Sequence, residues 1–350
     1  YGAGAGGMEY PTIFTGGTRL FNPFGGGSPE GVTIHEAGHQ FWYGIVGNNE
    51  FEHAWIDEGF NSFGDGRTYD ATYGDSHYVK RYFSPPGTRS RGFLPVLFDD
   101  LTRGRNHFGY GMSGHRYSPE TEVMAKPTYE YFPATAGTLS YSKTALWLAT
   151  LENYLGWETL QPIMATFFER YKFKHPRPED FFAVVDEVSG RDMSWFWDEV
   201  YNSATSFDYA IESAKSRPLE LEGLAGPEGA LELHRRGGET EGENTTYRSE
   251  VVVRRHGEST FPVDVLLVFE DGFEKRHAWD GKARWKLIVE ERTSRLSHAI
   301  VDPDEILLLD IDRSNNSYTL DPDADFPATK MAAKWIVWLQ DFLSTFAFFS

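Results

Sequence analysis

The sequence predicts an α+β chain, and three observations predict it. Apolar residues recur at helical spacing through much of the stretch from Val32 to Tyr201, alternating β-branched runs take over after Phe207, and turn dipeptides separate those runs. At 350 residues, 40% hydrophobic and 16% aromatic, the chain is long and apolar enough for two or three units, each with its own core.

Residues 1–31 are rich in glycine, and only Met8 to Phe14 reads as strand. Ile34, Ala37, Phe41, Ile45 and Val46 then follow a helical period from Val32 to Val46, with Gly47 as the stop, and Phe41, Trp42 and Tyr43 read as core. A second helix is expected from about Ile56 to Tyr69. Residues 84–137 carry Pro85, Pro86, scattered glycines and many aromatics without a period, long enough for a segment that lines a cleft. Helices are expected again at Tyr141 to Tyr154, Glu158 to Tyr171, Pro178 to Val188, with Pro in the first turn and Gly190 beyond the end, and Ser194 to Tyr201. Strands are expected at Tyr247 to Arg254, Val263 to Phe269, Trp285 to Glu290 and Ile306 to Ile311, with Asp271-Gly272 and Asp280-Gly281 as turns. This pattern reads as a small β-sandwich, preceded from Leu219 to Asn244 by an acidic linker or hairpin.

The net charge of −19 excludes nucleic acid as a partner, because phosphate binding needs a basic face and no long stretch is rich in Lys or Arg. Zero cysteines exclude disulfides, thiol catalysis and thiolate metal sites. A bound metal must therefore use His, Asp and Glu, which suits zinc in an open site as well as harder ions.

The central motif is His35-Glu36-Ala37-Gly38-His39. Positions four apart share a helix face, so both imidazoles reach one ion while Glu36 points at its water. Glu58, nineteen residues after His39 in Trp55-Ile56-Asp57-Glu58-Gly59-Phe60-Asn61, supplies a third ligand and leaves one position open. Asp57 is either an outer partner of a ligand or an exposed helix carboxylate. Arg170 and Lys172 read as a solvated helix end.

This spacing resembles the gluzincin aminopeptidases, the family of aminopeptidase N and leukotriene hydrolase, whose pattern is H-E-x-x-H, eighteen residues, then E. Gly6-Gly7-Met8-Glu9-Tyr10 is similar to the family's G-x-M-E-N strand, with Tyr10 where most members have Asn, and Tyr141-Ser142-Lys143-Thr144-Ala145 is similar to its Y-x-K-x-A segment. The resemblance implies a thermolysin-like zinc metallopeptidase catalytic domain over residues 1–205, lacking the N-terminal domain the family places before it, then a β-sandwich over 206–320 and a C-terminal helix over 321–350. It implies one Zn²⁺ held by His35, His39 and Glu58, and Glu36 as the base that activates water. It also implies Tyr141 as the oxyanion donor, and Glu9 on the free α-amine of a peptide beside Gly6 and Gly7. A thermolysin-like endopeptidase is the alternative within hydrolases. A silent scaffold of the same fold, the non-enzyme alternative, predicts loss of a ligand, Glu36 or Tyr141, and none is lost.

From Ala332 to Ser350 the chain is apolar and aromatic but interrupted by Lys334, Gln340 and Asp341, too short and too polar for a span. An amphipathic helix at a membrane surface, the start of a span that the sequence cuts off, and a helix docked on the protein are all open readings. The expectation for location favours an extracytoplasmic or membrane-associated protein over a cytoplasmic one.

Overall fold

Thr144–Leu151 forms two turns of helix without a single exposed residue, and this segment organises the first half of the protein. The computed structural model describes residues 6–16, 29–73, 115–116, 122–219, 221–225, 232–236, 245–323 and single positions between 325 and 343. The chain divides into two compact units, Tyr1–Ala204 with Asp323–Ser350, and Thr205–Pro322. Helix and strand are both well represented, so the protein is a mixed α and β structure.

In the first unit a hairpin, β1 (Gly7–Tyr10) and β2 (Ile13–Gly16), turns at Pro11 and Thr12 and packs against α1 (Pro29–Gly38). After α2 (Glu50–His53) comes a π turn at Trp55–Gly59, which runs straight into α3 (Phe60–Tyr73). A second π segment, Thr138–Lys143, leads into α4 (Thr144–Leu155). Then follow α5 (Trp157–Tyr171), α6 (Pro178–Ser189) and α7 (Ser194–Val200). Gly190 closes α6 at φ +66°, the left-handed conformation that a helix stop requires.

Aromatic side chains from six of these segments form the core. Trp55 meets Trp147 at 5.5 Å between ring centroids, Phe60 meets Phe181 at 5.0 Å, Phe167 meets Phe181 at 5.2 Å, and Trp147 meets Trp197 at 5.6 Å. Removing one such ring typically costs about 3–5 kcal/mol. Trp55 and Phe60 are buried on either side of Glu58 in sequence, so the same packing that holds the core fixes the backbone that carries this carboxylate.

The second unit has two antiparallel sheets. One is ordered β3 (Tyr209–Pro218), β6 (Tyr247–Arg255), β9 (Trp285–Arg292). The other is ordered β11 (Ser317–Thr319), β10 (Leu296–Val301), β7 (Val263–Phe269), β8 (Glu274–Trp279). β3 packs across onto β10 and β11, enclosing Val251, Val253, Val265, Leu267, Leu296, Ala299 and Val301. A further hairpin joins β4 (Leu221–Ala225) to β5 (Glu232–Arg236), within the segment expected to be linker or hairpin. Gly272 and Gly281, both at positive φ, make the turns that Asp271-Gly272 and Asp280-Gly281 signalled.

Ile306 to Ile311 is not a strand. Asp302 accepts the backbone N–H groups of Ile306 and Leu307, both at 2.9 Å, so a carboxylate takes the place of a ladder partner. The apolar residues Leu307, Leu308 and Leu309 are nonetheless buried, and one isolated bridge joins Phe207 to Asp310. Most of residues 84–121, where a cleft lining was expected, lies outside the described residues. The described positions between Asp325 and Leu343 are helical, and Met331, Trp335, Ile336, Leu339 and Leu343 on them are exposed. Among the described residues no helix is long and apolar enough to cross a membrane.

Candidate active site

Helix α1 ends earlier than its apolar period suggests. His35 and Glu36 lie inside it, while His39 is the first residue beyond, still bonded from its N–H to the carbonyl of His35 at 3.3 Å. The chain then turns: Gly44 bonds back to His39, Val46 to Phe41, and Tyr43 takes φ +89°. Phe41 and Tyr43 are consequently exposed rather than core, although the Phe41 ring meets that of Phe168 at 6.2 Å between centroids, and Trp42 joins the buried aromatic cluster edge-on to Phe60 at 5.1 Å. Gly38 at this exit has a specific reason. A Cβ there would lie 2.2 Å from the Asn61 side chain, and the Asn61 amide approaches to 2.6 Å from Nδ1 of His39.

The two imidazoles and the Glu58 carboxylate converge. His35 Nε2 lies 3.1 Å from His39 Nε2 and 3.0 Å from Glu58 Oε2, and His39 Nε2 lies 3.4 Å from the same oxygen. A four-coordinate ion with bonds of about 2.0–2.1 Å needs ligand atoms about 3.3 Å apart, so this triangle fits a tetrahedral divalent ion with one corner open. The two N and one O donors suit such an ion, and these residues can hold it.

Each ligand is held from behind. Asp65 lies 2.9 Å from His35 Nδ1, and Asp57 lies 2.5 Å from His39 Nδ1, carboxylate partners that fix ring orientation. Asp57 is fully buried, so it is the outer partner and not an exposed carboxylate. Tyr141 donates its phenolic hydrogen to Glu58 Oε1 and stacks on the His35 ring at 5.8 Å. The two π segments make this meeting possible. They pack against each other, and a Cβ on Gly59 would lie 2.1 Å from the Thr144 methyl. Wide π turns are frequent at functional sites because they swing side chains off the regular helical face.

Burial alone would lower both histidines, but the carboxylates of Asp65 and Glu58 carry His35 up to about 9, and those of Asp57 and Glu58 carry His39 up to about 10. Burial pushes Glu58 up, yet its bonds from His35, His39 and Tyr141 prevail and hold it at about 2. Asp57 is raised to about 8, mainly by burial, and Glu36 is raised for the same reason. Protons therefore compete with a metal for these nitrogens.

A cavity of about 310 Å³ opens over these groups, lined by Gly7, Met8 and Glu9 of β1, by Glu50, Ala54 and Asp57, and by Tyr141 with the ligands and Glu36. Glu36 is buried, among the described residues its Oε2 has no hydrogen-bond partner, and a Cβ on Gly7 would overlap its carboxylate. Glycine at position 7 thus lets the strand lie on the acid. Among the described residues, Gly6 is not part of the cavity lining and a Cβ there would meet no atom within 4 Å. Gln40 ties the hairpin down: its Nε2 donates to the Tyr10 carbonyl at 3.2 Å, and its Oε1 accepts from the Thr12 N–H at 3.0 Å. Arg170 pairs with Glu187 and Lys172 with Glu169, both at the surface.

Sequence reasoning missed Asn61, Asp65, Gln40 and Glu50. A signal existed for two of them, since Glu58, Asn61 and Asp65 stand at i, i+3 and i+7, one face of a helix. Gln40 and Glu50 carry no spacing that points to the site.

The helical unit with this H-E-x-x-H and Glu constellation defines a metallopeptidase-type site. Residues 27–200 match the Peptidase family M1 domain, and the chain belongs to that family. It is 25% identical over 206 residues to Aminopeptidase M1-B of Oryza sativa subsp. japonica, covering 56% of this chain and 21% of that protein. It is 27% identical over 158 residues to human glutamyl aminopeptidase, covering 45% and 14% respectively. A crystal structure of Legionella pneumophila aminopeptidase A in complex with aspartic acid aligns at TM-score 0.47 and 14% identity, over 81% of this chain and 26% of that one. The chain thus spans about a fifth or less of the length of the two curated relatives.

Proposed function

We propose that this chain is the catalytic part of a zinc aminopeptidase that removes the first residue of a peptide. The observation that carries the reading is the convergence of His35, His39 and Glu58 to within 3.4 Å, with the buried Glu36 carboxylate beside them. One Zn²⁺ per chain, when bound to these three, supplies the positive charge that polarises the scissile carbonyl and acidifies a water.

Glu36 takes the proton of the attacking water and passes it to the leaving amine, a role its unpartnered oxygen and its raised pKa favour. Tyr141 stays protonated, because burial and the Glu58 charge both raise its pKa, and it donates a hydrogen bond to the oxygen that gains charge. Glu9, on a strand that borders the cavity, meets the substrate α-ammonium with a charge-assisted bond. The same reading makes residues 1–205 a thermolysin-like domain and 206–320 a β-sandwich, supported by the two packed sheets of the second unit. It leaves 321–350 as an amphipathic C-terminal helix, supported by its exposed apolar side chains.

Hydrolysis of leucine p-nitroanilide and its N-acetyl counterpart tests this. The free amine should be cut, the acetylated one spared, and chelation should stop the reaction until zinc is restored. Equal rates on both substrates would favour the endopeptidase, and no hydrolysis by a zinc-loaded full-length protein would leave a silent scaffold.

A further inference from the structure

Five large apolar residues of the C-terminal segment share one side of it. Met331, Trp335, Ile336, Leu339 and Leu343 are all helical positions. At about 100° per residue, Met331, Trp335, Leu339 and Leu343 follow one another in steps of about 40°, and Ile336 falls about 20° past Leu343. The apolar arc is thus about 140° wide. By the same period Lys330, Lys334, Gln340 and Asp341 fall on the other side. All five apolar side chains are between 49% and 63% exposed.

The width and length of this arc select its partner. Two copies pairing helix to helix would share a narrow seam, and Ile336, Leu339 and Leu343 have its spacing, but Met331 stands outside it. A lasting seam also runs over about three to four heptads, and Met331 to Leu343 is less than two. A membrane span needs about 30 Å of apolar helix, whereas this stretch rises about 18 Å. The protein's own body leaves the five side chains about half open. A lipid interface is flat and accepts a broad arc laid along it, with Trp at headgroup level and Lys on the polar side. Lys330 and Lys334 against the single Asp341 give residues 330–343 a small positive balance in a chain of net charge −19. This stretch can therefore approach a neutral headgroup layer where the acidic remainder of the chain gains nothing.

We infer that this arc seats on the surface of a phospholipid bilayer, the helix lying in the headgroup plane with Met331, Trp335, Ile336, Leu339 and Leu343 turned to the acyl chains. The inference rests on the reading of 321–350 as an amphipathic helix and deepens it by naming the partner. The attraction is apolar, so it persists in salt and needs no anionic lipid.

The full-length protein should float with phosphatidylcholine vesicles on a density gradient, in low salt and in about 0.5 M salt alike. Leu339→Glu and Ile336→Glu should each weaken vesicle binding about tenfold or more, because a carboxylate replaces an apolar group at the acyl boundary. Lys334→Gln, on the other side of the helix, should float as the wild type does. A wild type that never floats overturns the inference and leaves the amphipathic helix standing, and flotation abolished by salt overturns it likewise. A dimer seen by light scattering without vesicles, and lost in Leu339→Glu, would give the arc to a second copy and overturn it too. Equal loss of flotation in Leu339→Glu and Lys334→Gln would show that the segment has no apolar side, removing the helix reading and the inference together.

Discussion

Tyr141 donates its hydrogen bond to Oε1 of Glu58, the carboxylate whose other oxygen faces both imidazoles. One carboxylate thus joins the proposed oxyanion donor to the proposed ligand set, and in that proposal the phenol must leave Glu58 to serve a substrate.

Replacing Tyr141 with Phe should lower kcat by the equivalent of about 2–4 kcal/mol while KM moves little, because the bond strengthens only as charge develops. Steady-state kinetics with a peptide anilide decides this, and an intact kcat would reduce Tyr141 to a packing partner of His35.

Asp65 touches no substrate-facing surface of the ligand triangle, yet it holds His35 from behind. Asp65→Ala should weaken zinc affinity about 10- to 100-fold, as outer-partner losses do elsewhere. Competition against a chromophoric chelator measures it; an affinity equal to wild type would show that the ring needs no such support.

Lys143 is buried, and its Nζ has no hydrogen-bond partner among the described residues. Burial lowers its pKa from 10.5 to about 8. Relative to the unfolded chain, the folded state disfavours the charged amine, so this group contributes no penalty above pH 10.5, a growing one as pH falls from 10.5 to 8, and a constant one below that. Protonation at neutral pH should cost roughly 3 kcal/mol at 1.36 kcal/mol per unit. Lys143→Met should raise urea stability at pH 7 and flatten its rise between pH 8 and 10.5; equal pH profiles for the two proteins would mean that the amine finds a partner.

Gly59 lies between the two π segments with no room for a methyl group. Gly59→Ala should destabilise by about 1–3 kcal/mol through overpacking, read from denaturant midpoints, and should weaken zinc binding because Glu58 is the preceding residue. A variant as stable as wild type would show that this contact yields.

What the sequence could and could not disclose follows from how local each cause is. His35, Glu36, His39 and Glu58 stand out because ligand geometry demands fixed spacing, and α6 stands out because Pro178 and Gly190 punctuate it. The π turns were invisible, since their residues read as ordinary helix and the widening comes from packing of one on the other. Asp65 and Glu50 were missed because no motif requires a carboxylate there; only the folded chain brings them to the site. Ile306 to Ile311 has the composition of a strand, and the side chain of Asp302, several residues upstream, overrides it. Phe41 and Tyr43 looked like core because the helix was assumed to continue past Gly38.

The two bonds made by Gln40 have a further consequence. A single side-chain amide, gripping Tyr10 and Thr12 with its two ends, fastens the strand that bears Glu9 to the residue next to His39. If Glu9 receives the substrate's end and the ion receives its first carbonyl, that amide sets the gauge of the enzyme: the interval between where a peptide begins and where it is cut. Gln40→Ala should then loosen the count before it slows the cut, releasing dipeptides alongside single residues in a mass-spectrometric analysis of products. Uniform release of single residues would assign the gauge to the strand itself.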